Sequence, residues 1–417
     1  MEPTTILLLA TVACGLYLAW SIGANDAANS IGTAVGSGAL RMGQAVAVAG
    51  CCEFAGAVLV GDAVAGTIQH GIVDPAQFTY APHQFAQGML TALLATAIWL
   101  QMSSRRGIPV STTHSIVGAV CGFAWAALGS SSAVHWEAIA RIVGSWFISP
   151  LLGCSLSLLL FLFVRHFILR AERPTQALAK HVPTLVWALF FLPLLIVLDK
   201  TLRPEITRPQ ATLLACGLAA VAAVGVKLLL HHTLRHAKLP AFAGETVERV
   251  FARLQWLTVS LLAFAHGSND VANAIGPMAA VVHVAQTDQI VASTPIPFWL
   301  LALGGAGIVL GLATYGTRVV ATIGGSITEI TPTRGFCAEL ATALTTLLGS
   351  RLGLPLSSTQ VLVGAVIGVG LARGVAGLNR RVISRIMTSW LISVPAAALL
   401  SAGLFLIWQA IVMLAGI

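Results

Sequence analysis

One polar tract occurs twice in an otherwise apolar chain: Gly23-Ala24-Asn25-Asp26-Ala27-Ala28-Asn29-Ser30-Ile31-Gly32 and Gly267-Ser268-Asn269-Asp270-Val271-Ala272-Asn273-Ala274-Ile275-Gly276, each at the end of a long hydrophobic run. A charged side chain at membrane depth costs roughly 3 kcal/mol on insertion scales. Two copies at matching places therefore imply paired half-sites for an ion or polar solute. A second pair follows in the same order: Arg105-Arg106-Gly107-Ile108-Pro109-Val110-Ser111-Thr112-Thr113-His114 is echoed by Arg351-Leu352-Gly353-Leu354-Pro355-Leu356-Ser357-Ser358-Thr359-Gln360. The first pair is displaced by 244 positions (267 minus 23) and the second by 246 (355 minus 109), so the chain carries a duplicated half.

Composition sets the medium. Hydrophobic residues make up 57% of the 417 and charged ones only 9%, with a mean hydropathy of +0.88, against roughly 25% charged residues in a soluble domain. The chain reads as an all-α polytopic membrane protein of about twelve helical segments, several short of the ~20 residues a full span needs. The short ones beside the motifs are expected as broken helices or re-entrant hairpins, since non-helical backbone is tolerated at membrane depth only where it lines a cavity. A formal charge of +8 does not indicate nucleic acid, because the basic residues are scattered through short loops. The seven cysteines, in or beside apolar runs without CxxC spacing, indicate neither zinc nor a disulfide framework. The first apolar run has no Lys or Arg ahead of it and leads straight into the Asn-Asp tract, so it is not read as a cleaved signal peptide.

Equivalent loops of the halves differ in charge. Arg41 lies between the first two runs, whereas 268–296 has no Lys or Arg; 69–84 has none, whereas its counterpart carries Arg318 and Arg334; 129–137 has none, whereas 371–387 holds Arg373, Arg380, Arg381 and Arg385. Under the positive-inside rule these contrasts describe two repeats of inverted topology, 1–165 and 251–417. The linking helices and basic loops of 166–250 join them, flanked by Arg165, Arg170, Arg173 and Lys180 and by Lys227, Arg235, Lys238, Arg249 and Arg253. Lys200, Arg203 and Arg208 between the linking runs weaken the contrast. Parity places both termini outside.

Small residues in the tracts allow close approach of helices and ions. Asp26 and Asn29, like Asp270 and Asn273, lie three apart on one helical face. With carbonyls freed from the helix, they supply hard oxygen donors suited to sodium or a proton. In the second motif proline followed by hydroxyls opens half-helices at Ser111-Thr112-Thr113 and Ser357-Ser358-Thr359. Free amides and the positive ends of two helix dipoles then cradle an oxyanion. Glu53 and Glu339 are unmatched between the halves, so neither belongs to a symmetric site, and Asp62 reads as interfacial. His114 and Gln360 occupy corresponding places suited to hydrogen bonding. His266 matches Ile22, which argues against a symmetric role.

At these motifs the chain resembles the inorganic phosphate transporter (PiT) family, with GANDAANSIG and GSNDVANAIG standing for its hallmark tract, and with similarity over nearly the whole length. The resemblance implies a secondary transporter: cation-coupled symport of inorganic phosphate, sodium favoured, across the cell membrane of a prokaryote. By it Asp26, Asn25, Asp270 and Asn269 serve sodium, and Asn29, Asn273, Ser111, Thr112, Thr113, Ser357, Ser358 and Thr359 serve phosphate. No organic cofactor is implied. The partners are phosphate, sodium or a proton, and the bilayer; a homodimer is compatible. Gln360 departs from the histidine the family often has there. A sulfate permease of the same fold and a proton-coupled metal-phosphate symporter stay open at this stage. A hydrolase using Ser111 with His114 is disfavoured by their spacing and by the copy that lacks the histidine, and an anion channel by its buried carboxylates.

Overall fold

The computed structural model describes residues 3–130, 132, 134–202, 205–235, 243–290, 296–317, 320, 327–372, 374 and 378–415; Arg203, Lys238, Arg318 and Arg373 of the loop-charge argument lie outside them. The described residues form thirteen α-helices and no strand. These are α1 Pro3–Gly36, α2 Met42–Val60, α3 Asp62–His70, α4 Pro82–Arg105, α5 Thr112–Leu128, α6 Trp136–Val164, α7 Pro174–Thr201, α8 Arg208–Arg235, α9 Ala243–Thr287, α10 Phe298–Thr314, α11 Pro332–Arg351, α12 Ser358–Leu371 and α13 Arg380–Ala415. Seven are long and apolar enough to cross a membrane, while α5, α10 and α12 are shorter apolar helices of 14 to 17 residues. Proline at the first helical position starts α4, α7 and α11, where the missing N–H is no loss.

The two Pro-Ser/Thr motifs sit in helical hairpins. α4 ends at Arg105 and α11 at Arg351, and each is followed by a glycine of positive φ, Gly107 at 63° and Gly353 at 67°, the left-handed turn that reverses the chain. Ser111 and Ser357 then cap α5 and α12, accepting from the backbone N–H of His114 and Gln360. The Asn-Asp tracts behave differently. Both run as unbroken helix inside α1 and α9, so the carbonyls freed from the helix come from the hairpin loops and not from the tracts.

Packing is reciprocal, both between the halves and within them. α5 lies on α13 and α12 on α6; α2 lies on α9 and α10 on α1; α4 lies on α1 and α11 on α9. The opening glycine of each tract makes the closest crossing possible. A Cβ on Gly23 would lie 1.9 Å from the Ile308 carbonyl of α10, and one on Gly267 2.1 Å from the Glu53 carbonyl of α2. Two apolar cores flank the tracts. Leu18, Ala19 and Ile22 of α1 join Val271 to Val284 of α9 in one, whereas Ala27 to Ala34 join Val247 to Ala265 in the other. Advancing along α1 thus means retreating along α9, so the two helices run antiparallel, with the Asp residues at the junction of the cores.

Candidate functional site

All twelve residues singled out from the sequence are buried, none more than 5% exposed, and they converge where α1, α9 and the two hairpins meet. On α1 the Asp26 carboxylate accepts from Asn29 Nδ2 at 2.7 Å, Asn25 Nδ2 at 3.1 Å and Thr112 Oγ1 at 2.7 Å. On α9 Asp270 accepts from Asn269 Nδ2 at 2.8 Å, Asn273 Nδ2 at 3.5 Å and Ser358 Oγ at 2.6 Å. Each helix-borne acid is therefore held by the first hydroxyl of a half-helix. Thr359 crosses to the other repeat, accepting from Asn29 Nδ2 at 2.7 Å and donating to Asp26 Oδ1 at 3.3 Å. Its counterpart Thr113 donates to the Leu356 carbonyl at 2.9 Å, tying one hairpin to the other.

The asparagines divide into two kinds. Asn25 donates to the Val110 carbonyl at 2.9 Å and accepts from Ser104, and Asn269 donates to the Leu356 carbonyl at 2.8 Å and accepts from Ser350, so this pair tethers the hairpin loops. Asn29 donates to Asp26 and Thr359 and Asn273 to Asp270, while Oδ1 of each, buried, has no hydrogen-bond partner among the described residues. Two equivalent oxygen acceptors, one on each tract, are thus left over. Ser104 and Ser350 are the same 246 positions apart as the hairpin motifs, and extending the echo by one residue would have found them.

His266 is the residue the sequence reading undervalued. Its pairing with Ile22 does exclude a symmetric role, yet it stands at the centre of the site. Nε2 lies 2.7 Å from Asp270 Oδ2 and 4.0 Å from Asp26 Oδ2, without an in-line hydrogen bond to either, and Nδ1 lies 2.9 Å from Glu53 Oε1. The missed signal was the spacing of four to Asp270, which puts both on one helical face. Glu53 also accepts from Ser30, the residue after Asn29. One level further along α1, Glu339 accepts from Thr33 and Gln255 and is bonded by Thr258, and Ser37 donates to Gln255. The two glutamates are unmatched between the repeats, as the sequence indicates, but they extend the polar centre along the α1–α9 seam. His114 turns its ring to the Trp390 carbonyl rather than to Ser111, so no nucleophile and base pair forms. Asp62, expected to be interfacial, is half-buried and paired with Lys200.

Asp26, His266 and Asp270 offer three ligand atoms within 4.8 Å of one another, so one point lies within about 2.8 Å (4.8/√3) of all three. When the ring is neutral with Nδ1 donating to Glu53, Nε2 has a lone pair for a cation, and a glutamate behind a ligating histidine is the usual outer-shell support. Three buried carboxylates, Asp26, Asp270 and Glu53, lie against His266, and a fourth, Glu339, is bonded by the neutral side chains of Thr33, Gln255 and Thr258, a set that needs cations or protons for its stability. Beside them, the first turns of α5 and α12 offer hydroxyls and helix N-termini to an anion.

An all-helical membrane bundle that closes apolar helices around donors for both a cation and an oxyanion defines a transporter of a polar solute. The comparisons specify which. Residues 22–401 match the model of the phosphate transporter family. A protein of Chlamydia trachomatis named "Putative phosphate permease" is 41% identical over 425 residues, covering 97% of this chain and 99% of its own. Another so named, from Thermococcus kodakarensis, is 44% identical over 404 residues, covering 95% and 97%. A solved structure named "The sodium-dependent phosphate transporter" superposes with a TM-score of 0.92 at 39% identity, covering 97% of this chain and all of that one. The chain belongs to the phosphate transporter family, and it is a transporter of phosphate, not an enzyme.

Proposed function

We propose that the protein couples inward movement of sodium to uptake of inorganic phosphate across the cytoplasmic membrane of a prokaryote. Residues 1–165 and 251–417 act as repeats of inverted topology, 166–250 links them, and both termini lie outside. The observation that carries the reading is the reciprocal network in which each tract's acid is bonded by the opening hydroxyl of a half-helix, Thr112 to Asp26 and Ser358 to Asp270. A cation on the acids and an anion on the half-helix tips thereby share hydrogen-bonded side chains, through which filling one site bears on the other. Asp26 and Asp270 hold sodium, joined by His266; Asn25 and Asn269 fix the loops around it. Thr112, Ser358, Thr113 and Thr359 serve phosphate, and Ser111 and Ser357 aim the first-turn amides at it by capping.

Asn29 and Asn273 favour phosphate over sulfate. Their unpartnered Oδ1 atoms are acceptors, and phosphate near neutral pH carries a proton to donate, whereas sulfate has none. Similarity to a transporter named as sodium-dependent supports sodium as the coupling ion, and the antiparallel course of α1 and α9 supports inversion. Equilibrium binding of labelled phosphate to the purified protein tests the reading. Sodium should raise phosphate affinity and unlabelled sulfate should compete poorly. Affinity indifferent to sodium, or equal competition by sulfate, would contradict it.

A further inference from the structure

Between α6 and α13, behind the first turns of α5 and α12, lies a cavity of about 740 Å³. Its wall is built in pairs, Trp146 with Trp390 and His114 with Gln360, at the displacement that relates the duplicated motifs. The rest of the lining is apolar. Phe147, Leu151, Met387 and Leu391 are exposed on the outer faces of two helices apolar enough to span a membrane. The cavity therefore opens sideways toward hydrocarbon, away from the polar centre where α1 and α9 meet.

Two indole N–H groups on this wall, Nε1 of Trp146 and Nε1 of Trp390, make no hydrogen bond among the described residues, although both side chains are more than nine-tenths buried. His114 Nδ1 lies 3.3 Å from the Trp390 carbonyl, which can only accept, so Nδ1 carries the proton; the His114 ring and the Gln360 side chain lie within reach of each other, and the amide turned to donate to Nε2 satisfies both. The wall thus presents two unpaired donors and no charge. Unpaired polar atoms at membrane depth are costly to leave so.

We propose that this cavity binds a membrane amphiphile with a small, neutral, hydroxyl-bearing head, seated against these two indole N–H groups with its acyl chain between α6 and α13. The oxygen of such a head accepts, as the two donors require. A phosphodiester or ammonium head would bring a buried charge to a wall without an ion partner. The volume falls within the roughly 300–1,000 Å³ of small-molecule sites. His114 and Gln360 each follow a threonine of the polar centre, Thr113 and Thr359, so the bound head would lean on the turns that carry those hydroxyls.

Two sources share this chemistry, a protonated fatty acid and a diacylglycerol. The purified full-length protein is photolabelled with acyl-chain diazirine analogues of a fatty acid, of diacylglycerol and of phosphatidylcholine, and labelled peptides are mapped by mass spectrometry. The fatty acid or the diacylglycerol should label the segments around Trp146 and Trp390, the stronger of the two naming the source, and phosphatidylcholine should not. The double variant Trp146→Phe/Trp390→Phe keeps an aromatic ring at each position and removes both donors, and should weaken labelling about five- to tenfold or more. Ile367→Trp, which fills the cavity from α12, should abolish it. Equal labelling by all three probes, labelling unmoved by either variant, or a wild-type face left unlabelled because a second copy covers it would overturn the proposal.

Discussion

Asp26→Asn isolates charge from shape. Asp26 Oδ1 receives Asn25, Asn29 and Thr359, and Oδ2 receives Thr112. In the variant the new amide nitrogen can take the place of Oδ2, where the Thr112 hydroxyl turns to accept, and the three donors on Oδ1 keep their oxygen. What disappears is one negative charge at the triad of Asp26, His266 and Asp270. Two unit charges 4 Å apart interact by about 4 kcal/mol at an effective dielectric of 20, and since 1.4 kcal/mol is tenfold in affinity, sodium affinity should fall roughly a thousandfold. The assay is the sodium dependence of labelled phosphate uptake into proteoliposomes, with thermal melting of the variant to show that it is folded. Half-saturating sodium should move far beyond the wild-type range while the melting temperature changes little. A folded variant with wild-type sodium dependence would refute the placement of the cation on this carboxylate.

Thr359→Val and Thr113→Val separate equivalent positions by their partners. The first removes a hydrogen bond to a charged group and should weaken phosphate binding about ten- to a hundredfold; the second removes a tie between hairpins and should cost less affinity and more stability, as binding and melting of the two variants will show. Gly23→Ala pushes a methyl into the Ile308 carbonyl and should destabilise by about 1–3 kcal/mol, whereas Gly43→Ala, with nothing within 4 Å, should be neutral in thermal melts. Single cysteines at 132 and 379, in a background without reactive native thiols, should be labelled by an impermeant reagent from opposite faces. Labelling of both from one side would mean parallel insertion, and the inverted-repeat reading would fall.

That these residues come together was legible because duplication wrote them twice. All twelve residues named from the tracts and hairpins are buried together, and capping by Ser111 and Ser357 follows from the residue types alone. What duplication does not write twice stayed hidden. His266 has no matching polar partner, and its importance comes from Glu53 on another helix and Asp270 one turn away. Glu339 likewise depends on Thr33, Gln255 and Thr258 from two further helices, contacts no local spacing encodes. Unbroken helix through both tracts was also not evident, since small polar residues suggest interruption; packing against α2, α10 and the hairpins holds them helical. The apolar run 45–68, a single stretch by composition, divides at Gly61 into α2 and α3.

Sodium-driven phosphate accumulation in proteoliposomes containing only this protein tests the central claim most directly. Labelled phosphate should accumulate above its equilibrium level when an inward sodium gradient is imposed, and collapse of that gradient should release it. An inward proton gradient in sodium-free buffer should give no accumulation. Uptake driven by the proton gradient alone, or phosphate entry that never exceeds equilibrium under a sodium gradient, would contradict coupling through the paired carboxylates.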